Sequence, residues 1–271
     1  MAGSDATASV TAQFMLDGRV AIVTGGAGGI GSAVSKHLAS LGARVAVGYF
    51  GDPTPARELV ASINAQHANN SDQPRAVAVE CDVSDAIQVK ALFDAASAAF
   101  GGAELHILVT TAAVLDYSYP ALADTSERTY DAAFGVNARG TFLCLREAAN
   151  RLSRRHGRGR IVTFSSSGVG SLRPGYAAYA ASKAAVETMT KVLARELRGT
   201  GITANAVAPG STGTPMFYGG KSEEEAARYV AEAPLGRLGM PEDIAPMVGF
   251  LVSDAGGWVN AQVIRCNGGT I

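Results

Sequence analysis

Tyr179-Ala180-Ala181-Ser182-Lys183 places a phenol and an ammonium four residues apart at the start of a helical pattern. Residues i and i+4 of a helix share a face, so the two groups point the same way. A tyrosine is idle as an acid or base at neutral pH because its ordinary pKa is about 10. Bringing it near 7 takes about three units, or roughly 4 kcal/mol. One ammonium at about 4 Å in an effective dielectric of 20 supplies about 4 kcal/mol. The pair is therefore a candidate general acid/base. Upstream, Ser165-Ser166-Ser167 follows an apolar run. A hydroxyl there could hold a carbonyl oxygen and share its developing charge.

A second constellation is Thr24-Gly25-Gly26-Ala27-Gly28-Gly29-Ile30-Gly31, which opens directly into a helical pattern. A pyrophosphate must touch backbone N–H groups at a helix N-terminus, where the dipole favours negative charge and side chains would block the approach. A glycine loop between strand and helix meets that need. The register is open. Gly26, Gly28 and Gly31 satisfy one dinucleotide spacing, Gly25, Gly29 and Gly31 a second, and Gly25, Gly28 and Gly31 a third.

The elements that must position these groups alternate along the chain. Apolar, β-branched runs at 19–24, 44–47, 76–79, 106–109, 160–164, 202–207 and 262–265 predict buried strands. Between them, helical periodicity predicts helices over 30–41 and 55–66, one capped by Ser84 or Asp85, and long ones over 126–152 and 178–197. Ser222 with Glu225 has the capping-box spacing, and Pro241 suits a first helical turn. The expectation is an α/β fold. It is a single-domain, Rossmann-type, doubly wound parallel sheet of about seven strands with helices on both faces, spanning 17–271 behind a loose tail at 1–16. In such sheets ligands bind beyond the carboxyl ends of the strands.

Composition removes other classes. The 271 residues are 47% hydrophobic and 17% charged with a net charge of −1, so the chain lacks the basic footprint of a nucleic-acid binder. It also lacks an apolar stretch long enough to span a membrane. Cys81, Cys144 and Cys266 fit no zinc or redox spacing, which leaves them as small buried hydrophobes and predicts no metal. Without an early basic and apolar segment, the N-terminus reads as cytoplasmic.

Taken in order, the glycine loop, Asp82-Val83, Asn137, Ser166, Tyr179, Lys183 and Pro209-Gly210 with Thr214 resemble the short-chain dehydrogenase/reductase family. The resemblance runs over essentially all of 17–271 and points to its shorter branch, which selects Gly25, Gly29 and Gly31. Within it, Gly256-Gly257-Trp258-Val259-Asn260 and the helix at 180–189 look most like plant and fungal NADPH-dependent carbonyl reductases. The resemblance implies that Tyr179 donates a proton to the substrate oxygen, that Lys183 lowers its pKa and binds the nicotinamide ribose, and that Ser166 orients the carbonyl. Ser166 is preferred to Ser167 because the counts from Arg160 and from Tyr179 fit without a gap. Asn137 would hold a water in a proton relay through Lys183, Asp82 would meet the adenine amine, and Thr214 the carboxamide. Ile30, Tyr49, Val83, Thr110, Pro209, Gly210 and Thr212 complete the implied cofactor contacts. One departure stands out. Thr110-Thr111-Ala112-Ala113 replaces the family's Asn-Asn-Ala-Gly, which removes amide bonds to neighbouring strands.

For the cofactor, an NAD enzyme needs an acid at the end of the second strand. Tyr49 is there instead, with Asp52 beyond it, which favours NADP over NAD. Leu115, Tyr117, Tyr119, Tyr176, Met216, Phe217 and Tyr218 are the candidate pocket residues, with Tyr176, Met216 and Phe217 the ones expected to touch substrate. None is Lys or Arg, which suits a small uncharged aldehyde or ketone. Residues 212–233 read as a lid. The alternatives are an NAD-dependent alcohol dehydrogenase, a ketoreductase for carrier-bound thioesters hinted at by Arg173, and a silent dinucleotide-binding module. The family resemblance also implies a homotetramer or homodimer through the helices at 126–152 and 178–197. Phe142, Leu145 and Met189 are the apolar positions there that could face outward.

Overall fold

Seven short apolar runs do form strands, and all of them pair in parallel. In the computed structural model, which describes residues 12–67 and 73–271, they are β1 (Val20–Thr24), β2 (Arg44–Tyr49), β3 (Ala76–Glu80), β4 (Ile107–Thr110), β5 (Arg160–Phe164), β6 (Thr203–Pro209) and β7 (Val263–Cys266). The order across the sheet is β3-β2-β1-β4-β5-β6-β7. Parallel neighbours need crossovers, and these are helical: α1 (Gly29–Ser40), α2 (Thr54–His67), α3 (Ala86–Ala99), α4 (Glu127–Ala133), α5 (Thr141–Arg151), α6 (Gly168–Ser171), α7 (Ala177–Glu196), α8 (Pro215–Tyr218), α9 (Glu223–Glu232) and α10 (Pro241–Val252). The strand order reverses between β1 and β4, which opens a crevice at their carboxyl ends.

Alternate strand residues face opposite sides, and each side has its own core. Val23, Val45, Val109 and Val162 pack with Val34 and Leu38 of α1 and with Val248 and Leu251 of α10. Ile22, Leu108 and Ile161 pack with Leu92 and Phe93 of α3 and with Leu143 of α5. Leu145 is 4% exposed and Met189 packs on this second core, so both face the sheet; only Phe142, at 46%, turns outward.

Two local features differ from the sequence expectation. The helix expected over 126–152 is broken by a π-helical segment at Phe134–Gly140 between α4 and α5. A π turn adds a residue to the helical circuit and is common where function needs one. The first eleven residues of the expected tail lie outside the described residues, but Leu16 is fully buried and its N–H donates to the Leu41 carbonyl. Of the two possible caps for α3, Asp85 is the one used, accepting from Ile87 N at 2.7 Å. The Ser222–Glu225 capping box is formed as expected.

Candidate active site

The glycine loop links β1 to α1. Gly25 has φ +62°, and a Cβ there would lie 2.7 Å from the Ala112 backbone. A Cβ on Gly29 would lie 2.6 Å from the Thr214 methyl, so the loop after β6 packs directly on the loop after β1. At Gly28 a Cβ would meet only the Gly25 carbonyl, at 3.3 Å. Among the three possible registers, packing is therefore most demanding on the one through Gly25 and Gly29. Gly28 caps α1 without any side-chain hydrogen bond, and the first turn carries no acidic residue. That leaves N–H groups of the first turn open to an anion. At the adjacent carboxyl ends of β1 and β4, Thr24 and Thr110 bury hydroxyls that have no protein partner. This narrow cradle of bare backbone and unpaired hydroxyls is chemically suited to a dinucleotide.

The remaining expected cofactor residues line the same sheet edge. Tyr49 ends β2. Asp52 lies past it, and its carboxylate accepts from Thr54 N at 2.9 Å, which holds its pKa below the usual carboxylate range. It is committed to starting α2, so no acid stands at the β2 end. Asp82 uses one carboxylate oxygen on Ser84 N and Oγ, at 2.8 and 2.7 Å. Val83 is buried, and Ile30 packs on the first core from the opening turn of α1. Pro209 ends β6, and the Gly210 N–H donates to Cys266 O. Thr212 Oγ1 donates to Gly210 O at 3.0 Å, and the Thr214 hydroxyl caps α8 by accepting from Phe217 N. The loss of amides after β4 is partly made good: Thr111 Oγ1 donates to Thr24 O at 2.6 Å, restoring a side-chain bond to the neighbouring strand.

Tyr179 and Lys183 lie in the first two turns of α7. Lys183 is 2% exposed, and its Nζ donates to Phe164 O at 2.9 Å, so the ammonium is anchored to the end of β5. Burial pulls its pKa down to about 8. The ammonium stands 5.9 Å from the centre of the Tyr179 ring. Burial pushes the phenol pKa up, and a hydrogen bond with the Ser166 hydroxyl pulls it partly back. Tyr179 is thus a protonated phenol at neutral pH, ready to donate. Of the three serines, Ser165 donates to Glu187 Oε1 at 2.7 Å and Ser167 to Ala208 O at 3.2 Å. Ser166 alone meets the phenol, and its Oγ accepts from Gly168 N at 3.0 Å.

Asn137 sits in the π-helical segment and is fully buried. Its Nδ2 donates to Val114 O and to Ser182 Oγ, both at 3.0 Å, and its Oδ1 accepts from Val114 N at 2.8 Å. Both amide donors are used, so the side chain ties the loop after β4 to α7. A water relay would have to meet the main chain here instead.

A cavity of about 470 Å³ reaches Tyr179 and is walled by Leu115, Tyr176, Thr129, Ala132 and Ala133 among others. Ser166 reaches the site through its contact with Tyr179. Met216 and Phe217 do not line the cavity. Phe217 instead packs edge-on against Tyr229 of α9, with ring centres 5.3 Å apart. The expected absence of cations also fails. Arg128 lines the cavity, and Lys221 lies among Tyr119, Tyr176 and Phe217. Arg128 was visible in the sequence as one helical turn from Ala132; Lys221 carried no local signal.

A family model described as enoyl-(acyl carrier protein) reductase matches residues 25–270. The chain is 51% identical over 259 residues to an NADPH-dependent aldehyde reductase-like protein, chloroplastic, of Arabidopsis thaliana, covering 94% of this chain and 95% of that one. It is 51% identical over 256 residues to a short-chain type dehydrogenase/reductase of Picea abies, covering 94% and 93%. Among solved structures, a short chain dehydrogenase from Burkholderia cenocepacia J2315 in complex with NADP superposes with a TM-score of 0.83 at 34% identity, covering 94% of this chain and 98% of that one.

Proposed function

The chain belongs to the short-chain dehydrogenase/reductase family and is an oxidoreductase using a nicotinamide dinucleotide, and on that premise we propose that it reduces the carbonyl of a small aldehyde or ketone with NADPH. The observation that carries this reading is the Tyr179 phenol lining the cavity, bonded to Ser166 and on the same helix as buried Lys183. NADPH held by the glycine loop would supply the hydride that the carbonyl carbon takes up. Ser166 orients the carbonyl oxygen, and Tyr179 donates its proton to that oxygen as negative charge develops on it. The Lys183 ammonium then stabilises the phenolate. Gly25, Gly29, Gly31, Ile30, Asp82, Val83, Thr110 and the 209–214 loop would hold the cofactor.

Tyr49 at the end of β2, with Asp52 turned to Thr54, supports NADP over NAD. The aldehyde reductase and NADP-bound relatives agree with that choice. The restriction to uncharged substrates loses its basis, because Arg128 borders the cavity. The test is oxidation of NADPH and of NADH, side by side, against aliphatic and aromatic aldehydes and ketones, with Tyr179→Phe as control. NADPH-linked turnover that vanishes in the variant supports the proposal. Turnover mainly with NADH moves it to an alcohol dehydrogenase, and nucleotide binding without turnover to a silent module.

Assembly as a homodimer or homotetramer is part of the same proposal. Phe142 and Val192 are about half exposed on α5 and α7 and would be covered in it, and light scattering reads the mass. No helix among the described residues is long and apolar enough to cross a membrane. The cytoplasmic reading rests on N-terminal composition alone, and the Arabidopsis relative is chloroplastic by name. A full-length fluorescent fusion decides between the two compartments.

A further inference from the structure

The segment after β6 is tied down by a cation that makes no direct ion pair among the described residues and feels Glu225 only at longer range. Lys221 follows α8, and its Nζ lies 4.3 Å from the ring centre of Tyr119, 5.1 Å from Phe217, 5.7 Å from Tyr229 and 5.9 Å from Tyr176. Those distances are within the range of cation–π attraction for all four rings. The same Nζ donates to the Tyr119 hydroxyl and to Phe217 O. Among the described residues no carboxylate pairs with it. Glu225 is turned instead to Ser222 N, as part of the capping box. Attraction to the rings therefore acts together with the hydrogen bonds to the Tyr119 hydroxyl and Phe217 O to hold this ammonium.

The cage joins two parts of the molecule. Phe217 and Tyr229 belong to the segment after β6. Tyr119 belongs to the loop after β4, and Tyr176 precedes α7. The contact is tight on both sides. Tyr119 Oη donates to Gly219 O at 2.9 Å, and a Cβ on Gly219 would strike the Tyr117 ring. Tyr119 itself is held at φ +47°, a conformation that a bulky side chain adopts only when its surroundings enforce it. Tyr176 is shared: it lines the substrate cavity on one side, faces the cage on the other, and its ring centre lies 6.3 Å from that of Tyr179.

We propose that Lys221 is a positioning residue for the reaction: its caged ammonium locks the segment 215–232 onto the loop after β4 and so fixes Tyr176 as a wall of the substrate cavity. The lock acts on the carbonyl compound and spares the cofactor. The cofactor-side start of the segment has its own anchor, with Gly213 N donating to Gly239 O at 2.8 Å and Gly239 N to Ser211 O at 2.9 Å. The kinetic part of this inference rests on the carbonyl reductase reading; the locking part does not.

The experiment compares the full-length protein, with NADP present, to Lys221→Met and Lys221→Ala. Methionine keeps the apolar stem and removes the charge. Hydrogen exchange over 215–232 should accelerate about 10-fold in Lys221→Met while the sheet is unchanged. In turnover, KM for the carbonyl compound should rise about 30-fold, with kcat and KM for NADPH within about 2-fold. Ethylammonium chloride should lower the raised KM of Lys221→Ala, and potassium chloride at equal ionic strength should not. Wild-type exchange in Lys221→Met, or equal rescue by both salts, overturns the proposal, since stem packing or general salt would then explain the contact. If the wild-type protein reduces no carbonyl compound, the reductase reading falls, and the exchange measurement still decides whether the ammonium locks the segment.

Discussion

Replacing Lys183 by methionine should cut turnover about 100-fold and stabilise the fold at neutral pH. The ammonium is 2% exposed, with one carbonyl as its hydrogen-bond partner, and burial lowers its pKa from 10.5 to about 8. Holding that charge in the folded state costs about 3 kcal/mol at pH 7. The sign follows from proton counting. Below pH 8 both folded and unfolded chains carry the proton, so the full cost applies. Between 8 and 10.5 the unfolded chain holds the proton and the folded chain releases it, so stability rises with pH and the cost vanishes above 10.5. Methionine removes the charge but leaves Phe164 O without its Lys183 donor, a loss of about 1 kcal/mol. The net gain is about 2 kcal/mol. For a chain of this length that raises Tm by about 3–4 °C. Melting wild type and variant at fixed protein concentration from pH 6.5 to 10.5 should show a gap that shrinks above pH 8, passes through zero and ends with wild type about 1 kcal/mol the more stable. The phenolate loses an ammonium about 6 Å from its ring centre, worth about 3 kcal/mol over that distance in a dielectric of 20, so kcat should fall about 100-fold. A variant less stable than wild type at pH 7, or a gap independent of pH, would refute the reasoning.

The other predictions concern the cradle and the thiols. Gly29→Ala drives a methyl into Thr214, and should cost about 1–3 kcal/mol of stability and weaken nucleotide binding at least 10-fold in a fluorescence titration. Asp52→Ala removes the acceptor for Thr54 N, so it should lower Tm slightly and leave the NADPH/NADH preference unchanged. Tyr49→Asp should move that preference at least 10-fold toward NADH, read as the ratio of kcat/KM values. Burial pushes the Cys81 thiol up to about 11 and the Cys144 thiol higher than its ordinary value. A thiol reagent at pH 7.5 should therefore label Cys266, which is partly exposed, well before either, and all three only on unfolding.

How much of this was legible in the sequence depends on how far apart the interacting residues lie. Strand and helix periods are local, so the strands from β1 to β7 and the helices around Lys183, Ser222 and Pro241 could be read within a few residues. The candidate active site was legible where its spacing lies on one element, as with Tyr179 and Lys183 on α7, or at a strand end, as with Ser166. The π-helical segment was not, because Phe134–Gly140 has ordinary helical periodicity. What distinguishes it is a buried amide satisfied by Val114 and Ser182, 23 and 45 positions away.

Lys221 marks the far end of that scale. Its donor contact with Tyr119 spans 102 positions, and nothing in its own neighbourhood of glycines and glutamates announces an aromatic partner. Of the expected pocket residues, Leu115 and Tyr176 wall the cavity, whereas Met216 and Phe217 do not. An aromatic side chain can wall a cavity with one face and cage a cation with the other, and only the relative placement of two loops decides which. Here the placement turns Tyr176 to both tasks and gives Phe217 to the cage alone. Under the proposed lock, substrate selection would be set by how firmly the segment after β6 is held as well as by which residues it carries. Changing Phe217 should accordingly act through KM by loosening the segment: Phe217→Leu, which keeps apolar volume and loses the π face, should resemble Lys221→Met in hydrogen exchange. Direct substrate contact predicts the opposite, a change in substrate ranking with exchange over 215–232 unaltered.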